Sequence, residues 1–146
     1  MARVTLYLVR HAESEANAER IHQHRDTPLH ARATAQIAAL GQRVHGLGVQ
    51  TLVASPYVLQ QILDLNSPTV LAVSHAAIIR VIVACAMFGP RLTPHDYMGF
   101  WHTAVDNVSL THLVHNPDAA DMSPWGNPWK LLSFNSRTSI SATSHP

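Results

Sequence analysis

The strongest constraint on this chain is a set of three short apolar runs, separated by helical or turn patterning. They are residues 4–9 (VTLYLV), residues 49–54 (VQTLVA) and Thr69–Ser74 (TVLAVS). Continuous apolar, β-branched runs of this length mark strands buried on both faces, as in a parallel sheet. Between the first two, Ala33, Ile37, Leu40, Val44 and Leu47 recur at helical spacing, with Arg32, Gln36 and Arg43 off that stripe. Gly41 weakens this helix, and Gly46 and Gly48 end it. Between the second and third runs, Ser55-Pro56 offers an N-cap and a first helical position. Val58, Leu59, Ile62 and Leu63 then make one apolar face, and Asn66-Ser67-Pro68 stops the helix. Residues 55–65 are thus expected to form a direct crossover from the second strand to the third.

Ala76–Phe88 reads as an apolar helix closed by Gly89-Pro90, and residues 107–115 and 129–134 read as the last two strands. Residues 121–128 are rich in turn formers. The order β-α-β-α-β-α-β-β predicts an α/β fold, a three-layer α/β/α sandwich with a mostly parallel central sheet. A chain of 146 residues accommodates one domain, expected over residues 1–134, with the Ser/Thr-rich residues 135–146 as a flexible tail.

Composition removes several function classes. The net charge is +1 and no basic stripe appears, so no nucleic-acid partner is expected. The single Cys85 excludes a disulfide framework and a Cys-based zinc finger, and within the apolar helix it reads as an inert packing residue. The longest apolar stretch, residues 76–89, is broken by Arg80 and is shorter than the roughly 20 residues of a spanning helix. The N-terminal segment turns polar within ten residues and shows no signal-peptide core. The expectation is a cytoplasmic protein with no membrane partner. His22-x-His24 is a metal-like pair without further ligand spacing, so neither a metal nor another cofactor is expected. Trp101, Trp125 and Trp129 read as packing anchors, and Arg80 is expected to end in a salt bridge.

In open α/β sheets the site lies beyond the carboxyl ends of the parallel strands. Three loops meet that description: Arg10-His11, Ser55-Pro56 and Ser74-His75. An imidazole is a competent nucleophile toward phosphorus, and an arginine fork matches phosphate oxygens. A second His can add charge or a donor to a transferring phosphoryl group. Against this stand blander roles: a solvated strand end for Arg10-His11, a satisfied structural histidine for His75, a cap for Asn17 and a supporting carboxylate for Glu13.

These segments resemble a known family. Residues 8–17 (LVRHAESEAN) resemble the "LVRHGESxxN" signature of the histidine phosphatase superfamily, the phosphoglycerate mutase-like group. Residues 73–80 (VSHAAIIR) resemble its "VSHGGxIR" signature. Residues 26–29 (DTPL), 54–56 (ASP) and 107–111 (NVSLT) resemble three further elements, in family order. The resemblance implies a phosphoglycerate mutase-like fold. It also implies attack by His11 on phosphorus to give a phosphohistidine, with His75 completing the catalytic pair. Arg10, Asn17 and the backbone N–H of Ala76 would bind phosphate, and the partner would be a small phosphorylated molecule or free phosphate. The resemblance leaves the oligomeric state open.

The chain also departs from the pattern. The family's second phosphate-binding Arg falls on Leu59. Only eighteen residues, 57–74, separate Pro56 from His75, so part of the usual insert is missing, and with it the Glu that serves as general acid. No Glu occurs after Glu19, and the position after the second His, where another branch of the superfamily carries an Asp, is Ala76. Ala12 and Ala76 replace glycines, which is harmless only at negative φ. His30 stands where the family has a Thr helix cap. A lost general acid costs about 10²–10⁴ in rate and a lost charge donor about 10²–10³. The expected function is a phosphomonoester hydrolase working through phosphohistidine with impaired turnover. The alternative is a catalytically dead phosphate-binding pseudo-enzyme or a truncated relic of the family.

Overall fold

β1 (Val4–Arg10) runs through the middle of a five-stranded sheet. A computed structural model describes residues 3–24, 26–54, 59–120 and 126–137. The other strands are β2 (Thr51–Ala54), β3 (Thr69–Ser74), β4 (Leu110–His115) and β5 (Trp129–Ser136), in the order β2-β3-β1-β4-β5. β2, β3 and β1 pair in parallel, β4 runs against β1, and β5 runs against β4. Every strand except β4 therefore points the same way.

The side-chain alternation of β1 divides the core into two layers. Val4, Leu6 and Leu8 pack on one face with Ile62, Val70, Ile79, Ile82 and Val83. Tyr7 and Val9 pack on the other with Leu47, Leu71 and Leu110. Helices α3 (Leu59–Asp64), α4 (Ala76–Phe88) and α5 (Pro94–Trp101) lie on the first face, and α2 (Ala33–Val44) on the second. This is the expected three-layer α/β/α arrangement. α3 carries the chain from β2 to β3 within the fourteen residues between Ala54 and Thr69, the short crossover expected of the abbreviated middle.

Several boundaries differ from expectation. Ile37, placed on the apolar stripe of α2, is 49% exposed. Among the described residues α2 is the only helix of two turns or more on its face, so the flank of its stripe meets no neighbouring helix. Arg43, placed off the stripe, is half-buried and donates to the carbonyls of Val108 (2.8 Å) and Ser136 (2.6 Å). β5 runs on to Ser136, beyond the expected residue 134. Asn135 accounts for this: its N–H donates to Thr111 Oγ1 and its side chain bonds Asp106. β4 starts at Leu110 rather than 107, because Val108 sits in a turn at φ +52°.

Two helices were unforeseen: α1 (Glu15–Glu19) and α5, each opened by a capping box, Ser14 with Asn17 and Thr93 with Asp96. The expected helix start at Ser55-Pro56, the place of Val58 on the apolar face, Trp125 and residues 138–146 of the expected tail lie outside the described residues. Among the described residues no helix is long and apolar enough to cross a membrane.

Candidate functional site

The register of one strand pair builds the centre of the site. Arg10 of β1 stands beside Ser74 of β3, and the His11 N–H donates to the Ser74 carbonyl at 3.0 Å. The next residue on each strand is a histidine. Parallel neighbours lie about 4.8 Å apart, and the His11 and His75 rings stand edge to face with centroids 4.8 Å apart. Their juxtaposition is therefore a property of the backbone, with two identical side chains leaving adjacent strands at one level.

His11 is held in a defined state. Its Nδ1 lies 2.8 Å from the carbonyl oxygen of Ala12. A carbonyl can only accept, so Nδ1 carries the proton and Nε2 presents its lone pair. Burial lowers the His11 pKa, the Ala12 carbonyl opposes that shift, and the nearby positive charges of His75 and Arg10 add to it. The outcome favours the neutral imidazole. His75 is exposed and is the N-cap of α4, so it stands where the first N–H groups of that helix, including that of Ala76, face outward. Ala12 and Ala76 both have negative φ, and the methyl groups that replace the family's glycines introduce no backbone strain.

Arg10 is half-buried. Its Nη1 donates to the Val105 carbonyl at 2.5 Å, and its Nε is buried without a partner. Ser74 at the end of β3 and Ser109 just before β4 flank Arg10, and their hydroxyls are likewise buried without partners. Burial lowers the Arg10 pKa first; the charge of Arg80 lowers it further, and Asp106 and Glu13 oppose both. Asn17 combines its two candidate roles. Its Oδ1 accepts from Ser14 N–H in the capping box and from Asn107 Nδ2, and the residue also lines the cleft beside His75. Asn107 Nδ2 donates to the His11 carbonyl at 2.8 Å as well, tying the β4 turn to the backbone of His11.

A cleft of about 520 Å³ beside the histidine pair is lined by Asn17, Ile21, His22, Gln23, His24 and His75, with neither His11 nor Arg10 in its lining. The His22-x-His24 pair is thus a wall of the site. No group of three or more His, Cys, Asp or Glu among the described residues could hold a metal ion.

The carboxylates near His11 are committed elsewhere. Glu13 lies 3.1 Å from Arg32 Nε, accepts from Gln36 Nε2 and faces His30 at 3.9 Å. Asp106 bonds Asn135 and faces Arg137. Among the described residues Arg80 forms no salt bridge, where one was expected. Its Nε and Nη2 donate to the Thr103 carbonyl and its guanidinium lies over the Trp101 ring. Cys85 is half-buried rather than fully enclosed.

Residues 6–58 match the family model of the histidine phosphatase superfamily (branch 1). By this match, residues 6–58 are similar to that superfamily. No curated protein sequence matches it. Its fold is similar to alpha-ribazole phosphatase from Shigella flexneri, with a TM-score of 0.70 and 15% identity over 94% of this chain and 99% of that one. Phosphoserine phosphatase from Entamoeba histolytica, solved with 3-phosphoglyceric acid, gives 0.68 and 16% over 91% of this chain and 97% of that one. A mycobacterial glucosyl-3-phosphoglycerate phosphatase solved with VO3 gives 0.67 and 13% over 93% of this chain and 100% of that one. At these identities the likeness is one of fold. Leu59, the first residue of α3, stands where the family pattern has its second Arg.

Proposed function

We propose that the chain acts on small phosphorylated molecules, with His11 as the nucleophile and a phosphohistidine as the intermediate. The observation that carries this reading is the state of His11: Nδ1 spent on the Ala12 carbonyl, Nε2 without a hydrogen-bond partner among the described residues, and His75 alongside at 4.8 Å. In the first step the N–P bond forms at Nε2 while the bond from phosphorus to the ester oxygen breaks. Arg10, through the Nη2 that has no partner among the described residues, takes up charge on the phosphoryl oxygens together with His75 and the Ala76 N–H. Asn17 completes the rim. In the second step water attacks phosphorus, the N–P bond breaks and orthophosphate leaves. The phosphatases of similar fold act on phosphorylated small molecules, and a cleft of about 520 Å³ fits that size class.

Both steps need proton transfers for which this chain lacks the family's Glu. Leaving-group protonation matters most for alkyl esters and least for activated aryl esters, whose phenolate departs unaided. Turnover is therefore biased toward aryl phosphates, and the phosphohistidine is long-lived. The commitment of Glu13 to Arg32 and Gln36 also favours a second reading, a pocket that binds phosphate without turnover. Two measurements separate them. Phosphate release from 4-nitrophenyl phosphate is expected for the native chain and not for His11→Ala. Incubation with acetyl phosphate is expected to leave an acid-labile phosphohistidine detectable by phosphorus NMR. Orthophosphate binding with neither result supports the pseudo-enzyme, and no binding at all supports the relic. Fast hydrolysis of glycerol phosphate refutes the missing acid.

A further inference from the structure

We propose that Arg80 is a positioning residue that sets the pose of Arg10 through the backbone of residues 103–107. The inference rests on Arg10 being a phosphate ligand. Arg80 projects from α4 five residues after His75. Its Nε and Nη2 converge on one acceptor, the Thr103 carbonyl, at 2.9 and 2.7 Å. Its guanidinium lies 5.5 Å from the centre of the Trp101 ring on α5. A fork on one oxygen and a flat face on one ring leave little freedom to either partner. Thr103 is fixed from its other side, because its Oγ1 donates to the Phe100 carbonyl at 2.7 Å.

Two residues further on, Val105 anchors its side chain in the main core and turns its carbonyl to Arg10 Nη1. Asn107 then reaches the His11 carbonyl and the Asn17 amide oxygen. One segment thus carries Arg80 at its start, Arg10 in its middle and the nucleophile's backbone at its end. Neither Arg10 nor Arg80 has a carboxylate within ion-pair distance among the described residues, and each is held by a carbonyl of this segment. Such a carbonyl fixes a guanidinium without neutralising it, so Arg10 keeps its full charge for an anion.

The test compares Arg80→Met and Arg80→Lys with the native chain. The first readout is the Arg10 Nε–H signal in nitrogen-15 NMR, assigned with Arg10→Lys. Nε is buried, so the native signal is expected to exchange slowly with solvent. In Arg80→Met it is expected to shift and to exchange at least about tenfold faster. The second readout is orthophosphate affinity, expected to fall about tenfold in Arg80→Met. Lysine restores the charge but not the fork or the flat face, so Arg80→Lys is expected to recover less than half of that loss on a logarithmic scale.

An unchanged Arg10 signal in folded Arg80→Met overturns the proposal, as does full recovery by Arg80→Lys, which would reduce Arg80 to a bystander charge. If Arg80→Met does not fold, the same signal in Arg80→Lys decides. If the native chain binds no orthophosphate, the proposed function fails, and the Arg10 signal still judges Arg80 on its own.

Discussion

Glu13 is the carboxylate nearest in sequence to His11, and replacing it by Gln separates a structural role from a catalytic one. The structure assigns it to packing between the β1 exit and the start of α2. Its carboxylate faces Arg32, which is 65% exposed in its side chain, and its own backbone N–H stays bonded to Gln36 Oε1 at 2.8 Å whatever the side chain. Arg32 is largely solvated but the Glu13 side chain is 15% exposed, so the pair lies at the upper end of about 0.2–1 kcal/mol, and the weak contacts to Gln36 and His30 add little. Glu13→Gln should therefore lower the melting temperature by about 3 °C, at roughly 2–4 °C per kcal/mol for a domain near this size. The shift should shrink in high salt. A general acid, by contrast, is worth about 10²–10⁴ in rate. The assay is kcat/KM for phenyl phosphate and for 4-nitrophenyl phosphate, since only the poorer leaving group calls on an acid. The expected result is that each value stays within about twofold of native and their ratio does not move. A hundredfold fall for phenyl phosphate alone, in a folded variant, refutes the reasoning and makes Glu13 the acid.

Burial lowers the pKa of His11 and of His115, so the fold binds fewer protons at these sites than the unfolded chain. Their stabilising contribution is complete above the unfolded value near 6.5 and is lost as pH falls below it; urea midpoints should drop between pH 7.5 and 5, and less steeply in His115→Gln. Arg43→Met removes two charge-assisted bonds to the Val108 and Ser136 carbonyls and should cost about 2–4 kcal/mol in urea unfolding, with slower His11 phosphorylation because the β4 turn loosens. Gly41→Ala, inside α2 with nothing within 4 Å of the added methyl, should stabilise by about 0.5–1 kcal/mol. Gly46→Ala, at φ +84°, should destabilise by about 1 kcal/mol in the same measurement.

The strands were legible because their continuous apolar character reports burial on both faces, and the two site histidines because each follows such a strand directly. α1 and α5 were not read, although Ser14-x-x-Asn17 and Thr93-Pro94-x-Asp96 announce them. Both are too short to show a helical period, and only the cap chemistry marks them. The partners of Arg10, Arg43 and Arg80 left no trace in sequence because all three donate to backbone carbonyls. A carbonyl acceptor has no residue identity, so a sequence pattern points an arginine such as Arg80 to a carboxylate instead. Ile37 was misjudged for a related reason: periodicity reports which face of α2 is apolar but not how far a neighbouring layer extends to cover it. His22 and His24 were noticed as a pair but not as a wall of the cleft, which depends on the chain turning back after the left-handed Arg20.

The central strand has a consequence for how the chain assembles as it is made. β1 is synthesised before the other strands of its sheet, yet neither of its partners is close in sequence: Thr5 meets Thr69 on one side and Val4 meets His115 on the other. β2, α3 and β3 form a compact local unit with a short connection, so they can close early. β1 can dock on β3 only after that, and its second edge waits for β4. An apolar strand therefore stays open at one edge through most of elongation, and slowing synthesis between residues 74 and 110 lengthens its exposure. The His11–His75 pair is organised at the first of these dockings, when β1 meets β3, well before the Asn107 turn arrives to lock it.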